Sequence, residues 1–147
     1  MLVRKLRPTL LFVVLAAVVV TAGCGDSVTA PTNYAAFNST DLRVGGGTDA
    51  TVGKVITVKY TGWFYDASAT DQKGVQFDST TGGTPFTFTL GGGQVISGWE
   101  QGLPGMKVGG LRRLVIPPSL AYGSTRNGLI PPFTTLLFEI ELVEVQQ

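Results

Sequence analysis

Apolar and polar residues alternate with a repeat of two in several stretches of the second half of the chain and just before it. The stretch KVITVKYTGWFYD begins at Lys54, PFTFTL at Pro85 and LLFEIELVEV at Leu136, while LRRLVIP at Leu111 is rich in strand-forming residues. Such alternation is typical of antiparallel strands that bury one face and leave the other in water. Glycine-containing turns separate these stretches: TGGTP, KVGG and RNG. We therefore predict a sheet of about five antiparallel strands.

One segment, QVISGWEQG at residues 94–102, predicts a helix instead. Ser97 and Glu100 have the spacing of a capping box, in which two side chains satisfy the free amides at a helix start. Pro104 and Gly105 should end the helix after about two turns. Because a sheet with one apolar face needs a cover, we predict an α+β domain, in which a twisted antiparallel sheet wraps around this one short α-helix.

The first residues predict an export signal rather than a part of the fold. Basic residues lie within 4–7, and the apolar run at 10–20 is too short to span a bilayer but suits the core of a signal peptide. We assign 1–23 to the signal peptide, 24–40 to a lipidated cysteine and a flexible polar tether, and 41–147 to the folded domain.

The only cysteine of the chain, Cys24, ends the sequence TAGC, which resembles the lipobox of bacterial lipoproteins. This resemblance implies cleavage before the cysteine and acylation of its thiol, with Thr21 standing where leucine is usual. Two or three acyl chains hold a protein on a membrane stably. We therefore expect an exported protein of the cell envelope, anchored by lipid to a bacterial membrane on the periplasmic side. The alternative is ordinary cleavage after Ala22 or Ala30.

Composition excludes several classes of function. The 147 residues carry a net charge of +1, and 14% of them are charged, so no face is predicted to bind nucleic acid. The sequence has no histidine and one cysteine, which excludes a Ser-His-Asp triad, a Cys-His dyad and an internal disulfide, and argues against a zinc site. The glycines of LGGGQVISG lack the spacing of a phosphate-binding loop. We expect neither a metal nor a cofactor.

Aromatic residues make up 10% of the chain, which is many for the thin core of one sheet and one helix. Aromatics at strand spacing are ordinarily core residues, but some could instead line a ligand pocket together with a few polar groups. Tyr60 and Tyr122 could supply hydroxyls, and Asp78, directly after Phe77, could supply a carboxylate. Composition alone does not decide whether Trp99 is core or the floor of such a pocket.

The folded part resembles the FKBP-type peptidyl-prolyl cis-trans isomerases from about Asp41 to Val145. The motifs that carry the resemblance follow the family's order: VKYTG at residue 58, FDST at 77, PFTFTLG at 85, QVISGWEQGL at 94, GMKVGGLRRLVIP at 105, AYG at 121, LIPP at 129 and LLFEIEL at 136. The resemblance implies an isomerase that accelerates rotation about X-Pro bonds of exported proteins. The alternatives are a proline-binding chaperone module without useful turnover and a purely structural lipoprotein.

The resemblance also implies a pocket, carried over onto this sequence position by position. Trp99 is the expected floor beneath the proline ring, and Phe77, Phe138 and Tyr60 are the expected walls. The other expected substrate-binding residues are Phe86, Val95, Ile96 and Ile130; for Phe86 and Val95, simple core packing is an equal alternative.

The polar residues of this implied pocket carry the expected catalytic roles. The Tyr122 hydroxyl and the Ile96 amide are expected to hold substrate carbonyls. Asp78 is expected to lie near the carbonyl before the proline and to orient Tyr60. The implied partners are proline-containing polypeptides and macrolides of the rapamycin type, and we expect a monomer.

Three features depart from the family's usual pattern. The polar segment Asp66–Gly74 lengthens the connection between Tyr60 and Phe77, and it predicts an extended hairpin or a bulge. Gln94 stands where some members have glutamate. Arg126, in a short loop, is expected near the edge of the pocket, where it would influence the residue tolerated before proline.

Overall fold

A six-stranded antiparallel sheet forms the framework of the protein. The computed structural model describes residues 34–146. The elements are β1 (Asn38–Arg43), β2 (Val55–Tyr65), β3 (Lys73–Ser79), β4 (Phe86–Thr89), α1 (Ser97–Gly102), β5 (Leu111–Ile116), a 3-10 turn (Pro118–Leu120) and β6 (Leu136–Val145). The strand order in the sheet is β1-β5-β6-β2-β3, and β4 also pairs with β2. None of the helices in this part of the chain is long and apolar enough to cross a membrane. The predicted signal peptide, Cys24 and the first part of the tether lie outside the described residues.

The predicted α+β fold, a sheet around one short helix, is confirmed. The alternating stretches form β2, β4 and β6 as their patterns indicate, because their apolar positions lie on the inner face. Ile56 and Val58 of β2 and Ile140 of β6 are fully buried there. The chain places α1 against this face and so closes the core.

Strand β1 was not predicted, and it begins at Asn38, inside the segment assigned to the tether. All six of its residues are exposed, so no alternation marks it as a strand. Its backbone pairs with β5, and Arg112 fastens it by an ion pair to Asp41 at 2.6 Å. The hydrogen bonds from Arg112, together with its charge, hold the pKa of Asp41 below its usual value against the opposing effect of burial. Backbone pairing and a charge pair, rather than apolar burial, therefore form this edge strand.

The Asp66–Gly74 segment forms the hairpin, the first of the two alternatives that its sequence predicts. Residues 66–72 form a hairpin loop closed by a hydrogen bond from the Asp66 N–H to the Gln72 carbonyl at 3.0 Å, while Lys73 and Gly74 already belong to β3. The pairing of β2 with β3 also shifts register on either side of Trp63. The loop thus continues the β2–β3 hairpin without displacing the paired strands beneath it.

Helix α1 lies unusually close to β5 because two glycines face that strand. A Cβ at Gly98 would lie 2.5 Å from Ile116 Cγ2, and a Cβ at Gly102 would lie 2.6 Å from Leu114 Cδ2. Only hydrogen fits at both positions, since real Cβ atoms do not approach other carbons so closely. The glycines of this motif therefore set the depth at which Trp99 sits in the core.

The predicted capping box at the start of α1 is wrong. Ile96 is the N-cap residue, and no side chain caps the helix, so Ser97 is already the first helical residue. The Glu100 carboxylate points to the preceding loop instead, where it accepts hydrogen bonds from the N–H groups of Gly91 and Gly93. The spacing matched a capping box, but the neighbouring glycine loop offered the carboxylate two other unpaired amides. Glu100 therefore ties that loop to the helix.

A charge cluster covers part of the outer face of the sheet. Glu139 on β6 accepts a hydrogen bond from Arg113 at 2.6 Å and pairs with Lys73 at 2.9 Å. The Lys73 ammonium also lies 4.4 Å from the centroid of the Trp63 ring. Burial pushes the pKa of Glu139 upward, but the hydrogen bonds and charges of Arg113 and Lys73 outweigh it and leave that pKa lowered. The cluster links β3, β5 and β6 on the side opposite to α1.

We expect Glu139→Gln to make the stability of the fold less dependent on acid pH. A carboxyl whose pKa is lowered in the folded state stabilises the fold above its unfolded pKa of about 4.3, and this contribution is lost as pH falls through the lower folded pKa. The variant should lose about 1 kcal/mol of unfolding free energy at pH 7 and progressively less below pH ~4. Urea denaturation across this range measures the difference. Glu144→Gln, at an exposed position with no ion pair among residues 34–146, is the control, and an equal loss in both variants would contradict the prediction.

Candidate active site

A pocket of about 590 Å³ opens between the inner face of the sheet, the start of α1 and the loop from β5 to β6. Each of these elements contributes lining residues, and six of the fourteen are aromatic. All ten residues named from the sequence for substrate binding and catalysis line it: Tyr60, Phe77, Asp78, Phe86, Val95, Ile96, Trp99, Tyr122, Ile130 and Phe138. Four residues that were not named also line it: Gly93, Gln94, Asn127 and Leu129.

Trp99 forms the floor of the pocket and is also a core residue. It is 4% exposed, and it lines the cavity from the first turn of α1. The rings of Tyr60 and Phe138 meet it edge-on, with centroids 5.0 and 5.3 Å away. Phe88 packs behind it at 5.9 Å. Trp99 therefore belongs both to the core and to the floor of the pocket, because the pocket lies directly against one side of this thin core.

The Trp99 indole carries a buried polar group without a partner. Its Nε1–H is inaccessible to solvent and has no hydrogen-bond acceptor among the described residues. Such a group costs about 1–3 kcal/mol when it is left unpaired in a core. A phenylalanine at this position would avoid the cost of the unpaired N–H. The advantage of tryptophan here is therefore the larger area of its ring.

A second set of rings makes the side wall. Phe77 meets Phe138 edge-on at 5.6 Å, and Phe64 stacks behind Phe77 at 5.1 Å. Gly62 makes room for this contact, because a Cβ there would lie 2.8 Å from atoms of both Phe77 and Phe138. Sequence reasoning did not single out Gly62, although it is the glycine of the VKYTG motif. Its lack of a side chain is a requirement of the wall.

The polar side of the pocket is a hydroxyl paired with a carboxylate. The Tyr60 hydroxyl donates to Asp78 Oδ2 at 2.7 Å, and the Ser79 N–H donates to Asp78 Oδ1 at 2.8 Å. Burial raises the pKa of Tyr60, and the hydrogen bond to Asp78 and its charge raise it further. Burial and the charge of Asp78 also raise the pKa of Tyr122. Both phenols therefore stay protonated near neutral pH, as hydrogen-bond donors rather than bases.

The segment before α1 presents backbone groups at the pocket. Val95 and Ile96 are half-buried and pack against the core. The Ile96 carbonyl accepts the first hydrogen bonds of the helix, from the N–H groups of Trp99 and Glu100. The Ile96 N–H itself has no acceptor within residues 34–146. Gln94 also lines the cavity, and its side-chain oxygen accepts a hydrogen bond from the Thr89 N–H at 2.8 Å.

The loop from β5 to β6 closes the pocket as a small hairpin. Asn127 and Ile130 exchange backbone hydrogen bonds at 3.1 and 2.8 Å, and the Phe133 N–H donates to the Gly123 carbonyl at 2.7 Å. Ile130 is 7% exposed and points to the core, whereas its neighbour Leu129 is 75% exposed at the rim. The RNG turn and the LIPP motif mark this hairpin in the sequence. The residues at its tip, Asn127 and Leu129, line the rim of the pocket but were not predicted as site residues.

Two of the residues in doubt from the sequence are now placed. Phe86 is 38% exposed and stands at the mouth of the pocket, with its ring 6.4 Å from that of Tyr60, so it is not a simple core residue. Arg126 is exposed and does not line the pocket, although the adjacent Asn127 does. The edge expected for Arg126 is therefore occupied by Asn127 and Leu129.

Comparison with known proteins agrees with this geometry. Residues 46–143 match the family model of the FKBP-type peptidyl-prolyl cis-trans isomerases. The chain belongs to this family. The FK506-binding protein of Neisseria meningitidis serogroup A is 48% identical over 109 residues, which are 73% of this chain and 94% of that protein.

Solved structures of FKBP-type proteins share the fold. The crystal structure of AtFKBP13 superposes with a TM-score of 0.64 at 39% identity, covering 75% of this chain and 93% of that one. A peptidyl-prolyl isomerase from Pseudomonas syringae superposes with a TM-score of 0.62 at 39% identity, covering 76% of each chain. The FKBP match includes every pocket residue and excludes β1. The protein is thus a peptidyl-prolyl isomerase whose pocket lies wholly within the family domain.

Proposed function

We propose that the pocket accelerates X-Pro rotation by taking the proline and its amide out of water. Amide resonance gives the C–N bond partial double-bond character and a rotation barrier of about 18–20 kcal/mol. Water hydrogen-bonds the planar, polarised amide and so favours it over the twisted form. The observation that carries the proposal is the aromatic floor and walls around Trp99, which offer the proline ring an apolar surface.

The polar groups of the pocket are suited to hold the substrate without reacting with it. Tyr122 and the Ile96 N–H are available to donate to substrate carbonyls. Asp78, already bound to the Tyr60 hydroxyl, sets a negative charge beside the carbon of the carbonyl that precedes the proline. These groups stabilise the twisted amide more than the planar one, and only such a difference raises the rate. About 4–5 kcal/mol of differential stabilisation gives roughly a thousandfold acceleration, with no cofactor required.

We further propose that the substrates are exported proteins and that the enzyme acts at the cell envelope. The export signal and the TAGC sequence before Cys24 support this location. Acyl chains on Cys24 would hold the domain on the periplasmic side of a membrane, with residues 25–37 as the connection to β1. Incorporation of labelled palmitate into the wild-type chain, and none into Cys24→Ser, would test the anchor.

Binding of macrolides of the FK506 and rapamycin type is the corresponding proposal for ligands. The FK506-binding protein of Neisseria meningitidis, at 48% identity, supports it. A bound macrolide would contact Trp99 and change its fluorescence. Trp63 lies on β2 outside the pocket-lining set, so replacing it with phenylalanine leaves Trp99 as the single reporter.

A protease-coupled assay on Leu-Pro and Phe-Pro peptides tests the proposed activity. The full chain, purified in detergent micelles, should accelerate isomerisation in proportion to its concentration. The Asp78→Ala, Trp99→Ala double variant serves as the reference without a pocket. Equal rates for the wild-type chain and this variant, with both folded by circular dichroism, would refute catalysis and leave a proline-binding module.

A further inference from the structure

Strand β2 has a gap in its pairing at Tyr60. On one side it pairs with β6 continuously across residues 58–64. On the other side residues 55–58 pair with β4 and residues 61–65 pair with β3, so neither strand pairs with residues 59 and 60. A buried backbone N–H or carbonyl without a partner costs free energy comparable to a lost hydrogen bond. The gap therefore falls at the residue whose hydroxyl belongs to the polar side of the pocket.

Thr80, the residue after β3, fills this gap. The Tyr60 N–H donates to Thr80 Oγ1 at 2.8 Å, and the Thr80 N–H donates to the Tyr60 carbonyl at 2.9 Å. One residue thus makes both hydrogen bonds that a paired strand would have made. Its hydroxyl replaces the missing backbone acceptor, which no apolar side chain could do.

Thr80 also stands two residues after Asp78, the partner of the Tyr60 hydroxyl. The segment that carries the Asp78 carboxylate therefore also binds the backbone of Tyr60, through Thr80. The intervening Ser79 strengthens this connection, since its hydroxyl lies 3.0 Å from Thr61 Oγ1 and donates to the Tyr60 carbonyl at 3.2 Å. Tyr60 and the segment from Asp78 to Thr80 are therefore joined at two places. The Tyr60 hydroxyl binds Asp78 at 2.7 Å, and the Tyr60 backbone binds Thr80.

We propose that Thr80 is a positioning residue for isomerisation, acting through the Tyr60–Asp78 pair. Thr80 does not line the pocket, so it affects the substrate only through the residues that it holds. Without its hydroxyl, the Tyr60 N–H would lose its acceptor, and only the hydrogen bonds to the Tyr60 carbonyl would hold the two segments together at the gap. The phenol and the carboxylate would then hold their 2.7 Å geometry for less of the time. This inference rests on the proposed roles of Tyr60 and Asp78.

The test compares variants that differ in the hydroxyl but little in shape. Thr80→Val keeps the branched side chain without the acceptor, and Thr80→Ser keeps the acceptor. We expect kcat/KM in the peptide assay to fall about five- to tenfold in Thr80→Val, the effect of one hydrogen bond, and less than twofold in Thr80→Ser. Thr87→Val is the matched control, because Thr87 makes an exposed hydroxyl contact with Thr57 on the outer face; it should retain wild-type kcat/KM.

Measuring the same substitution in a Tyr60→Phe variant shows whether Thr80 acts by positioning the Tyr60 hydroxyl or by stabilising the fold in general. In Tyr60→Phe the hydroxyl that Thr80 positions is gone, so Thr80→Val should lower kcat/KM less than twofold further. An equal loss in both backgrounds, or no loss in the wild-type background, would overturn the proposal. If Thr80→Val does not fold by circular dichroism, Thr80→Ala is measured in both backgrounds with the same criteria. An inactive wild-type chain would instead refute the proposed function, which keeps the two failures distinct.

Discussion

Trp99→Ala is expected to reduce kcat/KM for X-Pro isomerisation at least a hundredfold and to destabilise the domain strongly. The substitution removes the floor of the pocket and the contacts with Tyr60, Phe88 and Phe138. Replacing a buried tryptophan by alanine costs about 3–5 kcal/mol, which is a large part of the stability of a typical domain. The proline ring would meet water in the cavity, so the desolvation on which the proposed mechanism depends would be lost.

Two controls separate loss of the floor from loss of the fold. Trp99→Phe keeps an aromatic floor and removes the unpaired Nε1–H, so it should be much more stable than Trp99→Ala and lose activity only in part. Trp63→Phe, outside the pocket, should keep wild-type activity. Thermal unfolding by circular dichroism and the peptide assay, the latter below all unfolding transitions, give the comparison. A folded Trp99→Ala variant with wild-type kcat/KM would contradict the assignment of the floor.

Asp78→Ala should lower kcat/KM about ten- to a hundredfold with a smaller effect on stability. The carboxylate is exposed to the pocket and accepts a hydrogen bond from the Tyr60 hydroxyl at 2.7 Å. A hydrogen bond to a charged group is worth about 1.5–3 kcal/mol, and each 1.36 kcal/mol corresponds to a factor of ten in rate. Tyr60→Phe removes the same bond from the other side, so the two variants should be less than additive when combined.

The alkaline titration of the tyrosines provides an independent measure of this pair. Burial raises the pKa values of Tyr60 and Tyr122, and Asp78 raises them further, because its negative charge opposes formation of a phenolate. Removing the charge should therefore shift tyrosinate absorbance to lower pH. Asp71→Ala, in the loop between β2 and β3, is the control and should change neither the titration nor kcat/KM. An unchanged titration in Asp78→Ala would show that the carboxylate does not act on these phenols.

The candidate site was predictable to the extent that it follows from motifs. The ten residues transferred from the FKBP resemblance all line one pocket, since each lies in or beside a motif that follows the family's order along the chain. The residues that were missed, Gly62 and Leu129 among them, have roles that depend on their neighbours in space. Gly62 matters only because Phe77 and Phe138 converge over it. The sequence around Gly62 does not indicate that these two rings meet there.

The sequence by itself determined the fold class, the inner faces of β2, β4 and β6, and the short helix that carries Trp99. Apolar alternation and turn residues are local patterns of a few neighbouring positions, so they can be recognised without knowing how the rest of the chain folds. Only the tertiary structure decided that exposed residues form β1, that Glu100 serves the preceding loop rather than a capping box, and that Thr80 completes the pairing of Tyr60. These outcomes depend on which unpaired backbone groups come together in space, and a pattern along the chain does not contain that information.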